Sequence, residues 1–182
     1  MTDEALMQAY AKGDMAAFER LYARYRGPLY RYILRHVGDA ATANDLYQGS
    51  WEKIIRAKAS YTANAPLRAW IFRVAHNHLV DHFRRTRPMQ ELIPETERSN
   101  NPGPEQALAD EQQAADLAAA VSALPAEQRD ALLLKMEAGL DLATIARVTG
   151  VNEETAKSRL RYAVARLKRS LGSPWKESSD EP

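Results

Sequence analysis

The sequence contains no cysteine. That excludes a disulfide framework, a thiolate zinc site and a thiol redox sensor. It also lacks any apolar run near the roughly 20 residues a helix needs to cross a bilayer. The opening stretch MTDEALMQAY is acidic and amphipathic, so it is not expected to act as a signal peptide. No glycine-rich phosphate loop or nucleophile motif is present, and no stretch alternates apolar with polar residues as a half-buried strand does. The expectation is therefore an all-α cytoplasmic protein that is not an enzyme, with no membrane association, metal or cofactor. Its 182 residues, 45% apolar, suffice for one domain or two small ones.

Net charge is also nearly absent, with a formal value of +1. This near-neutrality comes from segregation. Arg84, Arg85 and Arg87 form one basic cluster, and residues 157–169 form a second. Residues 88–124, which follow the first cluster, carry Glu91, Glu95, Glu97, Glu105, Asp110, Glu111 and Asp116 against Arg98 alone. Two basic patches are joined by an acidic connector, a pattern that directs attention to nucleic acid.

Leu6, Met7 and Tyr10 predict a first helix, broken at Gly13-Asp14. Asp14 is a good cap for a second, whose apolar positions are Phe18, Leu21, Tyr22, Tyr25, Leu29, Tyr32 and Ile33. Pro28 should kink or split it. A third helix over 43–57 should turn Leu46, Trp51, Ile54 and Ile55 inward. After the irregular stretch AKASYTANAPL, Pro66 suits the first turn of a helix over about 67–85. That helix should bury Trp70, Ile71, Val74, Leu79 and Phe83, and Pro88 should stop it. The proline-rich, polar and acidic residues that follow read as a flexible linker. From Met89 to Glu111 the chain could span at most about 75 Å, against about 70 Å for two turns of DNA. A helix from Ala107 to Leu124 comes next, then one starting at Pro125 with Leu132, Leu133 and Met136 inward, ended by Gly139.

The stretch from Gly139 to Leu171 reads as a helix, a tight turn and a longer basic helix. Gly150 can take the positive φ of a short interhelical turn, and Ala146 and Ala156 leave room for a close crossing. Asn152 should cap the second helix. Its expected apolar stripe is Ala156, Leu160, Val164, Leu167 and Leu171. Its outer face carries Lys157, Ser158, Arg159, Arg161, Tyr162, Arg166, Lys168 and Arg169. This is the pattern of a DNA-binding helix-turn-helix; the plainer alternative is a helical hairpin with a solvated basic face.

Taken together, these segments resemble the compact extracytoplasmic-function sigma factors of bacterial RNA polymerase, which keep only domains two and four. The resemblance rests on D-L-Y-Q at 45–48, W-I-F-R-V-A-H-N at 70–77 with Asp81 and Arg84-Arg85, L-P-A-E-Q-R at 124–129, G-L-D-L-A-T-I-A at 139–146 and T-A-K-S-R-L at 155–160. It implies domain two over 1–88, a linker over 89–111, domain four over 112–172 and a disordered tail over 173–182. It also implies core RNA polymerase and promoter DNA as partners, with an anti-sigma factor or a serine/threonine kinase as regulator.

The resemblance assigns roles to residues as follows. Thr155, Lys157, Ser158, Arg159, Arg161 and Tyr162 would meet the minus-thirty-five element. Tyr61, Arg68, Arg73, Asn77, Arg84 and Arg85 would engage the minus-ten element, with the loop from Tyr61 to Arg68 covering an extruded base. Asp45, Leu46, Gln48 and Trp51 would bind core polymerase. Asn44 and Gly49 stand where the family often has acids, so phosphorylation of Ser50 or Thr42 could restore the missing charge. Two rivals remain open at this point. A stand-alone helix-turn-helix regulator would need no polymerase. An enzyme would have to draw on His76, His78 and His82. His78 and His82 have zinc-ligand spacing, but no Glu follows His78 and a third ligand must be guessed.

Overall fold

A computed structural model describes the backbone of residues 1–90 and 107–172, and side chains over 1–86 and 109–172. Among the described residues all regular structure is helical: α1 (Asp3–Ala11), α2 (Met15–Val37), α3 (Ala40–Ala57), a 3₁₀ turn at Lys58–Ser60, α4 (Leu67–Gln90), α5 (Ala107–Ser122), α6 (Ala126–Met136), α7 (Leu142–Thr149) and α8 (Glu153–Ser170). Helices α1–α4 form one unit and α5–α8 a second. The residues between α4 and α5, and the tail from 173 onward, lie outside the described residues.

Capping explains most of the boundaries. Asp14 accepts from the N–H groups of Ala16 and Ala17, starting α2. Asp39 accepts from Thr42, starting α3. Pro66 offers no side-chain cap to α4, and Glu4 of α1 reaches across to accept the Leu67 N–H at 3.0 Å. Helix α1 thereby fixes where α4 begins. At the other end, Gly38 takes φ 74° and closes α2.

The split allowed for at Pro28 and the stop expected at Pro88 do not occur. Helix α2 runs through Pro28 without splitting, and α4 runs past Pro88 to Gln90. Proline's fixed φ is already helical, so each residue removes one backbone hydrogen bond and crowds one carbonyl, while neighbouring turns continue. In α2 the cost is offset by burial on both sides of the proline: Tyr25, Leu29, Tyr32 and Ile33 are all buried.

The inward faces differ from the sequence pattern at a few positions. Tyr22, Ile55, Met136 and Val164 are exposed. In α8 the buried stripe is Ala156, Leu160, Ala163 and Leu167, so Ala163 takes the place expected of Val164. Phe72 is fully buried, whereas Trp70 is half-buried against Tyr61.

The two units meet where α4 packs on α7 and α2 packs on α5 and α6. Asp130 of α6 is buried between residues of the first unit. Its Oδ1 accepts the Tyr32 hydroxyl at 2.6 Å and lies 3.2 Å from Nε2 of His36, without hydrogen-bond alignment to the latter. Its Oδ2 lies 2.8 Å from Nδ1 of His76. Burial raises the Asp130 pKa, but the two imidazoles outweigh it and hold the carboxyl far below the usual carboxylate range. Beside this cluster, Glu137 takes Arg31 at 2.8 Å and Arg35 at 3.5 Å. Arg129 donates to the carbonyls of Val121, Ser122 and Leu124, closing the C-terminus of α5, and also to that of His36. The arginine of the L-P-A-E-Q-R motif is thus a structural tie.

Candidate nucleic-acid interface

The helix-turn-helix is built from local chemistry. Asp141 accepts the Thr144 N–H and Asn152 accepts the Thr155 N–H, each at 2.8 Å, so both helices begin on a capping side chain. Gly150 sits at φ 73° and lets Val151 N–H return to the Ala146 carbonyl. Ala156, with no exposed surface, is small enough for α8 to pack on α6 and α7.

Lys157, Arg161 and Tyr162 are exposed on the opposite face of α8, and Thr155, Ser158 and Arg159 are half-buried beside them. At 100° per residue, Thr155, Ser158, Arg161 and Tyr162 lie within about 120° of arc. Lys157 and Arg159 flank this strip on opposite sides. The Arg161 guanidinium lies over the Tyr162 ring, 5.5 Å from its centre. Arg159 is turned toward Glu127 of α6 at 3.8 Å. An open groove of about 340 Å³ follows the strip, lined by Glu127 and Gln128 of α6 and by Thr155, Ser158, Arg159 and Tyr162. Arg147, exposed on α7, was missed by sequence reasoning; its position beside the turn suits a phosphate contact.

In the first unit, Arg73, Asn77, Arg84 and Arg85 are exposed on α4. Arg73, Asn77 and Arg84 fall within about 40° of one another around the helix, making a single stripe. Arg68 does not join it. Its guanidinium donates to the Ala138 carbonyl of the second unit at 3.1 Å and lies over the Tyr25 ring. Tyr61 braces its own loop, donating its hydroxyl to the Ala65 carbonyl at 2.7 Å and packing on Trp70. At the loop tip, Thr62 and Asn64 are exposed and hydrogen-bonded to each other. Burial and the nearby cations, Lys53 and Arg85 for His78 and Arg85 for His82, lower both histidine pKa values, so neither adds positive charge near neutral pH. Among the described residues no three His, Asp or Glu side chains are grouped to hold a metal.

Helix α3 corrects several expectations. Leu46 and Trp51 are buried in the core and cannot touch a partner directly. Asp45 and Gln48 are exposed, as is Glu52, a full two turns beyond Asp45 on the same face. Glu52 was not singled out from sequence, although its seven-residue spacing from Asp45 was readable. The face is therefore less short of acid than Asn44 and Gly49 suggested. A Cβ at Gly49 would lie 2.5 Å from His78 Nε2, so an acid there would first have to turn that imidazole aside. Ser50 is fully buried and donates its hydroxyl to the Leu46 carbonyl, which withholds it from a kinase in the folded chain. Thr42 remains accessible at the first turn of α3, its hydroxyl bonded to Asp39.

Residues 21–88 match the family model for sigma-70 region 2, and residues 114–167 match that for sigma-70 region 4. The ECF RNA polymerase sigma factor SigL of Mycobacterium tuberculosis is 35% identical over 175 residues, covering 92% of this chain and 96% of that relative. The chain belongs to the ECF sigma factors. Members of this family are transcription regulators rather than enzymes. Two solved structures share the fold. CnrH, solved with the cytosolic domain of CnrY, gives a TM-score of 0.71 at 22% identity and covers 93% of this chain and 96% of its own. RpoE of Bartonella quintana, solved with the anti-sigma factor NepR, gives 0.69 at 24% and covers 85% and 96%. As an alternative sigma factor, the chain directs RNA polymerase in transcription initiation. No described helix of this sigma factor is long and apolar enough to cross a membrane.

Proposed function

We propose that residues 1–88 and 112–172 of this sigma factor work as domains two and four, dividing promoter recognition between α4 and α8. The observation that carries this reading is the presence of exposed cations on separate helical units: Arg73 and Arg84 beside Asn77 on one, and Lys157 and Arg161 beside Tyr162 on the other. Helix α8 enters the major groove of the minus-thirty-five element, where Arg161 suits the O6 and N7 of guanine and Lys157 suits phosphate. Helix α4 and the loop from Tyr61 to Pro66 hold the single strand at the minus-ten element. Phosphate contacts there come from Arg73, Arg84 and Arg85, and the loop tip covers an unstacked base. Asp45, Gln48 and Glu52 face core polymerase. The action is cytoplasmic, where the polymerase works.

The test of this division is start-site mapping with purified core enzyme: transcripts should begin at a fixed distance from paired upstream and downstream motifs. Arg161→Ala should weaken binding to the preferred upstream sequence by about 1–3 kcal/mol and relax specificity at one base pair. Lys157→Ala should weaken all sequences alike and reduce the salt slope by about one. Equal loss on every sequence for Arg161→Ala would demote it to a phosphate contact. Control by an anti-sigma partner suits the exposed faces of α3 and α4. A kinase would have only Thr42 of the two candidate hydroxyls to act on.

A further inference from the structure

Helix α1 carries none of the residues assigned above to DNA or to polymerase, yet it ties down both ends of the loop that covers an unstacked base. At one end, the Leu67 N–H is among the first donors of α4, which have no partner within their own helix. Leu67 has no exposed surface, so this donor has no access to water. Glu4 Oε1 accepts it at 3.0 Å, across 63 residues of sequence. At the other end, Lys58 of the 3₁₀ turn holds its ammonium over the Tyr10 ring, 4.3 Å from the centre. Leu6, Met7 and Tyr10 are buried, so α1 is itself fixed to the core. Between the two ties the loop closes on itself through the Tyr61 hydroxyl and the Ala65 carbonyl. Burial raises the Tyr61 pKa and the Glu4 carboxylate adds to it, so that hydroxyl remains a donor. Pro66 joins the loop to the first turn of α4 with a fixed φ, so the loop and that turn move together.

We propose that Glu4 is a positioning residue for strand capture at the minus-ten element: its bond to Leu67 holds the loop from Tyr61 to Pro66 in the shape that tells one base from another. The proposal rests on the reading of that loop as the cover of an unstacked base. Thr62 and Asn64, bonded to each other at the tip, are the groups that meet the base. A tip held in one place favours the base that pairs with its polar groups and rejects those that leave them unpaired. A loosened tip adjusts to any base and must be ordered on each, so discrimination is lost along with affinity. Without Glu4, the Leu67 N–H is left buried and unpaired, or the first turn of α4 shifts to reach water and carries Pro66 and Ala65 with it.

The test titrates holoenzyme, assembled from core polymerase and the full chain, with fluorescent single-stranded oligonucleotides. These carry the downstream element found by start-site mapping, with each base in turn replaced by the others. Asn64→Ala with Thr62→Ala identifies the position read by the loop, as the one whose preference is lost. Glu4→Ala should lower the preference at that same position about tenfold, leaving the other positions and the binding of upstream duplex unchanged. Glu4→Gln should restore it, because the amide oxygen still accepts from Leu67. Both variants remove the same charge, so a difference between them is not a change in repulsion from phosphate. Amide exchange at Leu67 should be faster in Glu4→Ala and slow in Glu4→Gln. If Glu4→Ala loses helical circular dichroism, Lys58→Met, which frees the other end of the loop, should show the same selective loss. A merely destabilised chain loses affinity for every strand alike, and that result overturns the proposal. So does a Glu4→Gln chain that behaves as Glu4→Ala does. A preference lost in the Asn64 and Thr62 variant but kept in Glu4→Ala refutes the brace alone. If the Asn64 and Thr62 variant changes no position, the loop reads no base, and the proposal falls together with that reading.

Discussion

Ser50→Glu should unfold the α1–α4 unit rather than mimic a phosphate. Ser50 has no exposed surface, and its hydroxyl is spent on the Leu46 carbonyl one turn back. A glutamate there must either bury an unpaired carboxylate, at several kcal/mol, or force α3 away from its neighbours. Stability for a small domain is only about 5–15 kcal/mol, so either route consumes much of it. Thr42→Glu should behave in the opposite way. Thr42 lies at the third position of α3, where an acid favours the positive end of the helix dipole by about 0.3–1 kcal/mol and can reach back to the cap residue. Thermal unfolding followed by circular dichroism separates the two: a large drop in midpoint for Ser50→Glu, and a change of a few degrees for Thr42→Glu. If Thr42→Glu then raises core-polymerase affinity, the charge-restoring idea survives on that hydroxyl alone.

Leu133→Ala should disable the second unit. Leu133 has no exposed surface and sits in α6, which supports α8 from one side and touches α2 from the other. Truncation of a leucine in such a place costs about 2–5 kcal/mol. A unit of roughly 65 residues holds roughly 3–10 kcal/mol in total. The variant should therefore lose most specific upstream binding at growth temperature, although no DNA-facing residue has changed. Binding at low temperature should recover part of the loss, whereas Arg161→Ala should show no such recovery.

Much of this architecture was legible because short-range chemistry decides it. Asp14, Asn152, Gly139 and Gly150 mark helix ends through caps and positive φ, and those signals are contained within a few residues. Which of two adjacent apolar residues faces inward is a different matter. Ile54 and Ile55, or Ala163 and Val164, differ by about 100° around a helix, and a helical period alone tolerates either choice. The continuation of α2 through Pro28 and of α4 past Pro88 was not legible, because the sequence shows the lost N–H but not the packing that offsets it. Leu46 and Trp51 fall within or beside the contact motif, yet both are buried, and an apolar side chain there can serve by holding the helix from beneath. The exposed acids beside them, Asp45 and Glu52, carry the surface. The Asp130 cluster was beyond reach: Tyr32 and Asp130 are 98 residues apart, and only the folded chain brings them together.

The central claim is that two helical units act jointly on one promoter, with the polymerase, to open DNA. Permanganate reactivity of thymines measures that opening directly. On a fragment carrying both elements, thymines of the downstream element should become reactive only when core polymerase and this chain are both present. The reactivity should fall sharply for Arg73→Ala with Arg84→Ala. Tight, sequence-specific binding of the chain alone, with no thymine becoming reactive when core polymerase is added, would contradict the account and leave a duplex-binding regulator in its place.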